Sequence, residues 1–445
     1  MRQERDSLGD LSLSDDDYFG IATARLSATA TLPGAAFPME IPYNIVRIRQ
    51  AQAITFGRNK SWKISLTSAV IKATESLLSD EIAVAKHLKV NPLHGGGARS
   101  LVLNVDEIIS NVALEKMGSM KGEYHSVASL LQLDKGSSQL ETFLTAVHIT
   151  LIEEIAIMNG AIELLLKKIK QQANIFQKQG TVATLQFQEV EISTIGAEFF
   201  RCYESLLRSQ QQLEWFRACL LPCWQGPPEA LLALREIVGI DLAVSKAPHD
   251  FPWNVDLYVR FSSFLKVTAM LLLCFCNKMK VLIGCSKELD LPRRRANSSF
   301  NPAGRDFLIP DTVSQLVFSI VGADATVSAA AGASVDGAMA YVPLFSSQLV
   351  WATKWLTSAM QLLDEKFVDE LTGEAKTGSK TIAETPLQAE KLVSVLGYDR
   401  AVQVARIASL TKKPVRTVVS KMKLLTEEQL DQYLPATTLE EEGLP

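Results

Sequence analysis

Ser298 and Ser299 sit among the chain breakers Asn297, Asn301, Pro302 and Gly304, with Arg293, Arg294 and Arg295 before them and a helical run from Ile309 to Val327 after them. Hydroxyls in a loop beside guanidinium groups are the right equipment for taking a proton from a carbon whose neighbouring carboxylate the arginines hold. A solvated surface loop would use the same residue types, so this stretch alone leaves both readings open.

A second stretch has binding chemistry. His94 is followed by Gly95, Gly96, Gly97, Ala98, Arg99 and Ser100. Three glycines let main-chain amides come close to an anion, and Arg99 adds a fork that matches a carboxylate. A plain turn would need the same glycines.

The elements that must position these loops are helical. Few breakers interrupt His148–Gln177, Ile195–Leu220, Leu257–Ile283 and Ile309–Lys366. Helices of about 25 to 50 residues far exceed the ordinary mean and imply a bundle that shares its core with other chains. Pro343 marks a kink, and the run Ala329–Ala333 suits close helix packing. Upstream, residues 1–45 form an irregular arm, and helical patterning then runs through Ile45, Trp62–Leu78 and Glu81–Leu88. After a polar linker over Gly373–Lys380, the last segment is a small helical unit in which Thr426 and Gln429 have the spacing of a capping box. The fold class is all-α, with an N-terminal domain over 1–140, a central long-helix bundle over 141–372 and a C-terminal domain over 373–445.

Composition narrows the partners. The 445 residues are 47% hydrophobic, and 45 basic against 49 acidic residues leave a net charge of −4, so no global field favours nucleic acid or an anionic membrane. The apolar run Thr268–Cys276 between Lys266 and Lys278 is too short for a bilayer, which needs ~20 residues, and reads as a buried helix. No signal or transit peptide is visible in Met1–Asp17, which gives a cytoplasmic expectation. Cys202, Cys219, Cys223, Cys274, Cys276 and Cys285 read as reduced core thiols, and their spacing does not fit a zinc site, so neither metal nor cofactor is expected.

Several segments resemble the aspartase/fumarase superfamily. Laid on G-S-S-x-M-P-x-K-x-N-P, the serine loop matches at Ser298, Ser299 and Pro302, while the pattern's Lys falls on Gly304 and its Asn on Asp306. Tyr18, Phe19, Gly20, Thr23 and Arg25 resemble Y-[YF]-G-x-x-T-x-R. Asn104, Glu107, Ile109 and Asn111 keep step with G-[GS]-[AS]-G-T-x-x-N-[ML]-N-x-N-E-[VI]-[IL]-[AS]-N, whose Thr falls on Arg99 and first Asn on Val102. Ser138, Phe143, Thr145 and Ala146 agree with Q-S-[ST]-N-D-x-[FY]-P-T-A, but its carboxylate-binding Asn is Leu140. The turn Gly180–Val190 runs into Ile195–Phe199 like G-R-T-H-x-Q-x-A-x-P-x-T-x-G-x-E-[FW], with the His on Gln186. Cys219–Pro228 stands where a Gly-rich loop is usual. Leu396–Ala401 and Leu424–Asp431 are similar to the C-terminal domain.

This resemblance implies a homotetramer around a long-helix core with active sites shared between subunits. It also implies elimination, or the reverse addition, on a carboxylate-bearing small molecule, with Ser298 as the base. The substrate contacts it implies are Arg99, Ser138, Gln186, Ser299, Asn301, Arg305 and Asp311, the last standing at the Glu that partners the family's His. With the Lys and His replaced, an ordinary fumarase or aspartase is not expected. Two readings stay open, a diverged lyase and a non-catalytic relative that serves as an oligomeric scaffold or partner subunit.

Overall fold

The computed structural model describes residues 1–30, 32–33, 36–125, 127, 138–185, 188–246, 255–292, 306–333, 339–373 and 375–435. Its architecture is helical, as expected, with four two-stranded sheets among the described residues. The short N-terminal helices are α1 (Ile21–Thr29), α2 (Glu40–Arg58), α3 (Ile64–Leu78), α4 (Val84–His87) and α5 (Ala98–Lys116). Long helices follow as α6 (Gln139–Ile175), α7 (Ile195–Leu220), α9 (Asp256–Gly284), α10 (Leu308–Gly332) and α11 (Val342–Lys366), with the short α8 (Pro228–Val238) between α7 and α9. The chain ends in α12 (Ala375–Glu384), α13 (Val393–Leu396), α14 (Tyr398–Thr411), α15 (Val415–Lys421) and α16 (Glu427–Tyr433).

Two compact units emerge. One holds 1–159, 211–266 and 319–356, the other 160–210, 267–318 and 357–445, and each long helix contributes residues to both. In the first unit the core is tied by polar groups with no access to water. Arg49 of α2 and Asp106 of α5 are both fully buried and meet through two parallel bonds of 2.8 and 2.7 Å. Arg49 also donates to Gln52 and Thr142, which brings α6 into the same knot. Lys354 of α11 joins Glu154 and Glu40 in the same unit. In the second unit Phe199 meets Phe176 tilted and Phe275 edge-on, at centroid distances of 5.6 and 5.5 Å, and Lys168 bridges to Asp364 and Asp369. A separate cluster from Ala389 to Leu434 forms the core of the C-terminal helices.

Three expectations are corrected. The arm is not irregular throughout: Arg2–Asp6 (β1) and Gly9–Leu13 (β2) pair antiparallel around Gly9 at φ +114°, and Arg2 donates to the carbonyls of Ser14, Asp17 and Phe19. Pro343 is not a kink. It is the second residue of α11, in the first turn, where the missing N–H has no helical partner to lose. The turn at Gly180–Val190 is a hairpin, Gly180–Leu185 (β3) against Gln188–Thr194 (β4), because Thr181, Val182, Thr184, Val190, Ile192 and Thr194 favour extended backbone; further on, Pro222–Trp224 (β5) pairs parallel with Ala243–Val244 (β6). The capping box at Thr426 forms as expected, with Gln429 N–H donating to Thr426 Oγ1 at 3.2 Å and Thr426 N–H to Gln429 Oε1 at 3.0 Å.

The apolar run in α9 is longer than its sequence reading. By length and composition α9 and α10 could each cross a membrane, and 50% and 44% of their most apolar stretches are buried among the described residues. The six cysteines are free; Cys223 and Cys276 are buried, whereas Cys274 and Cys285 are exposed.

His148 of α6 is buried between Leu220 and Tyr258. The Leu220 carbonyl can only accept, so Nδ1 carries the proton (2.9 Å), and Nε2 accepts from the Tyr258 hydroxyl (2.8 Å). Burial lowers its pKa to about 4, opposed by the Leu220 bond. Between that value and the ordinary 6.5 the unfolded chain binds the extra proton, so stability is full above 6.5 and falls as pH drops towards 4. Acid titration of urea unfolding should therefore lose roughly 3 kcal/mol less in His148→Gln than in the parent over this window; parallel curves would refute the assignment.

Candidate active site

The glycine-rich stretch turns sharply into α5. Gly96 and Gly97 have φ of +91° and +60°, which residues with a Cβ rarely adopt, and Ser100 Oγ donates to Gly95 O at 2.6 Å to close the turn. Arg99 follows in the first turn of α5 with its side chain exposed, and no acidic residue accompanies it there. A cation at a helix N-terminus opposes the helix dipole by about 0.3–1 kcal/mol, so the position favours anion attraction over helix stability.

The residues kept from the α5 motif do a different job. Asn104 accepts from Lys89 N–H (2.8 Å) and donates to His87 O (3.1 Å). Glu107 accepts from the amides of Gly20, Ala22 and Thr23 at 2.9, 3.0 and 3.2 Å, so it caps α1 as a side chain brought in from another element. Burial raises its pKa, against the pull of those donors. Asn111 donates to Tyr18 O and accepts from Gly122 N–H, both at 2.9 Å. At spacings of three and four these side chains share one face of α5 and fasten separate backbone segments to it. Arg25, the other charged residue of the arm motif, is occupied by two bonds to Asp6 and one to Gly9 O.

Ser138 also has a structural partner. Its Oγ accepts from Glu141 N–H at 3.2 Å while Glu141 Oε2 accepts from Ser138 N–H at 2.7 Å, a reciprocal capping box that starts α6. The S-x-x-E spacing was present in the sequence. One turn on, Thr145 Oγ1 donates to Cys223 O at 2.8 Å, so Thr145 and His148 together hold the carbonyls of the 220–224 turn.

In the second unit, Leu185 and Gln188 are paired at the end of the hairpin, and Gln186 lies between them outside the described residues. Ala183, Leu185 and Val190 of the hairpin, with Phe275 and Met279, line a groove of about 500 Å³ whose Glu198 pairs with Arg201 at 2.6 Å and Lys278 at 3.4 Å. Ser298, Ser299, Asn301 and Arg305 also lie outside the described residues, but both stems of their loop are placed. Leu289–Asp290 (β7) pairs with Thr372–Gly373 (β8) before it. After it, buried Asp306 accepts from Leu308 N–H at 3.1 Å and caps α10. Asp311, in the first turn of α10, is exposed and pairs with Lys280 of α9 at 2.7 Å. Arg99 and Ser138 thus belong to one unit and Asp311 to the other.

A family model described as the Fumarase C C-terminus matches residues 391–439. Along 98% of this chain and 87% of its own length, the aspartate ammonia-lyase of Corynebacterium glutamicum is 25% identical; that of Bacillus subtilis is 23% identical over 100% and 97%. Among solved structures, a fumarate lyase:delta crystallin from Brucella melitensis superposes with a TM-score of 0.90 at 25% identity, covering 98% of this chain and 99% of that one. A class II fumarase from Schistosoma mansoni gives 0.89 at 19% identity over 99% and 98%, a likeness of fold.

The capping role of Ser138 is separable from a binding role. Ser138→Ala should cost about 1 kcal/mol of stability in urea unfolding, and Ser138→Asp, which keeps an acceptor, should recover most of it; a loss below 0.3 kcal/mol would count against the cap.

Proposed function

From its membership of the aspartase/fumarase superfamily of lyases, we infer that this chain eliminates a leaving group from a carboxylate-bearing substrate, or adds it in reverse, on a site that departs from those of fumarases and aspartases. The observation that carries the reading is the fate of the α5 motif. Asn104, Glu107 and Asn111, which hold the backbones of residues 18, 20–23, 87–89 and 122, are kept, while Arg99 and Val102 replace the Thr and first Asn of the same motif. The frame for a carboxylate site is retained and its fittings are new.

In this proposal Ser298, as an alkoxide, takes the proton from the carbon next to the substrate carboxylate. The electron pair forms the double bond as the leaving group departs with its own pair. Ser is a very weak base unless its alkoxide is stabilised. With Gly304 at the place of the family's Lys, Arg305 supplies the charge, and Arg cannot itself give up a proton at ordinary pH. Arg99 holds the carboxylate from another subunit, and Ser299, Asn301, Gln186 and Asp311 complete the surroundings. The domain division at 140/141 and 372/373 belongs to the same proposal.

Assembly as a homotetramer is supported by what the single chain leaves uncovered. Ile157 and Leu164 on α6, Trp215 on α7, Val267 and Met270 on α9 and Phe318 on α10 are each about half exposed or more. Apolar residues on successive long helices are the surface that a shared bundle would bury. Light scattering on the purified chain should give four times the 48.9 kDa chain mass; a stable monomer at micromolar concentration would contradict the shared site.

Chemistry is tested by offering L-aspartate, L-malate and a panel of larger carboxylates while following formation of the conjugated acid. Ser298→Ala should reduce turnover of the accepted substrate by at least ~10²-fold, and Arg99→Met should weaken its binding by ~1.5–3 kcal/mol. Turnover of L-aspartate or L-malate near ~10 per second would restore ordinary family chemistry. No turnover across the panel would favour the scaffold reading.

A further inference from the structure

The stem of the serine loop is fixed by one carboxylate. Glu288 is 1% exposed and lies between the end of α9 and β7. Its Oε2 accepts from Thr181 Oγ1 at 2.7 Å and from Ser286 Oγ at 3.2 Å. Thr381 of α12 is a further hydroxyl neighbour, and Lys278 acts on it electrostatically. Its main chain is held as well, since Gln179 Nε2 donates to Glu288 O at 3.1 Å and Glu288 N–H donates to Leu282 O at 2.9 Å.

Packing around it leaves little slack. A Cβ on Gly373 would come within 2.1 Å of Gln179 Oε1, and one on Gly378 within 2.2 Å of Gly180 O, so β8 and α12 lie directly against the base of the β3–β4 hairpin. The hairpin base, the loop stem and the 372–381 segment therefore converge on Glu288, all within the second unit.

We propose that Glu288 is a positioning residue, which sets the stem of the Ser298 stretch against the hairpin carrying Gln186 without touching substrate itself. This rests on the lyase reading for its kinetic consequence but not for its geometry. A carboxylate this buried costs free energy that a Gln or an apolar residue would not, unless its geometry is used. A carboxylate oxygen has two lone pairs, so Oε2 alone gathers the Thr181 and Ser286 hydroxyls from different segments. Among the described residues Oε1 has no partner, so the anchor also retains capacity for one further donor.

The test compares Glu288→Ala, Glu288→Gln and the milder Thr181→Val in the full-length chain. Hydrogen exchange read by mass spectrometry should accelerate at least ~10-fold in peptides covering Leu282–Leu291 and Gly180–Leu185 in Glu288→Ala, with α2 and α5 unchanged. Thr181→Val should show a smaller rise in the same peptides and Glu288→Gln a partial return to parent rates. With the substrate found above, kcat should fall ~10–10²-fold while KM stays within ~3-fold, because the base is misplaced and the carboxylate contacts on the other loops are not. Unchanged exchange in the stem would overturn the clamp, as would acceleration spread evenly over every peptide in both Glu288→Ala and Thr181→Val. Faster stem exchange with parental kcat would overturn the positioning role. Absence of any substrate would sink the lyase reading while leaving the exchange result to judge the clamp.

Discussion

Burying polar side chains on α5 is the constraint on which the N-terminal half of the structure depends. Asn104, Asp106, Glu107 and Asn111 are all removed from water, and each would be destabilising without a partner. The partners are the Arg49 guanidinium and the backbones of residues 18, 20–23, 87–89 and 122. One helix face thereby determines where four other segments run. Asp106 stands where the family pattern has its third Asn, and its charge is matched by a guanidinium that is itself fully buried. Removing either member of such a pair is far worse than never having had it, commonly by 3–5 kcal/mol.

This separates two kinds of residue that look alike in a motif. In the α5 motif Asn104, Glu107 and Asn111, whose side chains hold backbone, are kept, while the pattern's Thr and first Asn fall on Arg99 and Val102. The turn at 220–224, held by Thr145 and His148, is another case of preserved support around altered contents, with Cys223 and Trp224 now buried there.

Helix content, long-helix architecture and the capping box at Thr426 were legible in the sequence because they rest on local rules of period and spacing. The β1–β2 and β3–β4 hairpins were not, since they are brief and the surrounding helical pattern outweighs them. Ser138 shows how one residue can carry two readings: its S-x-x-E spacing gives the capping box a local explanation beside the proposed substrate contact. Asp311 was placed by register alone, and its pairing with Lys280 depends on how α9 and α10 pack, which no local pattern encodes. The roles of Ser298, Ser299, Asn301, Arg305 and Gln186 rest on sequence, for their side chains lie outside the described residues.

The two left-handed glycines before Arg99 have an evolutionary reading. Because Gly96 and Gly97 set the path of the main chain, and Asn104 and Glu107 fix the helix behind it, the identity of residue 99 is free of any duty to the fold. A position of that kind can sample new side chains one codon change at a time without passing through misfolded intermediates. In the proposed site, selectivity for the anion can then drift while the protein stays intact.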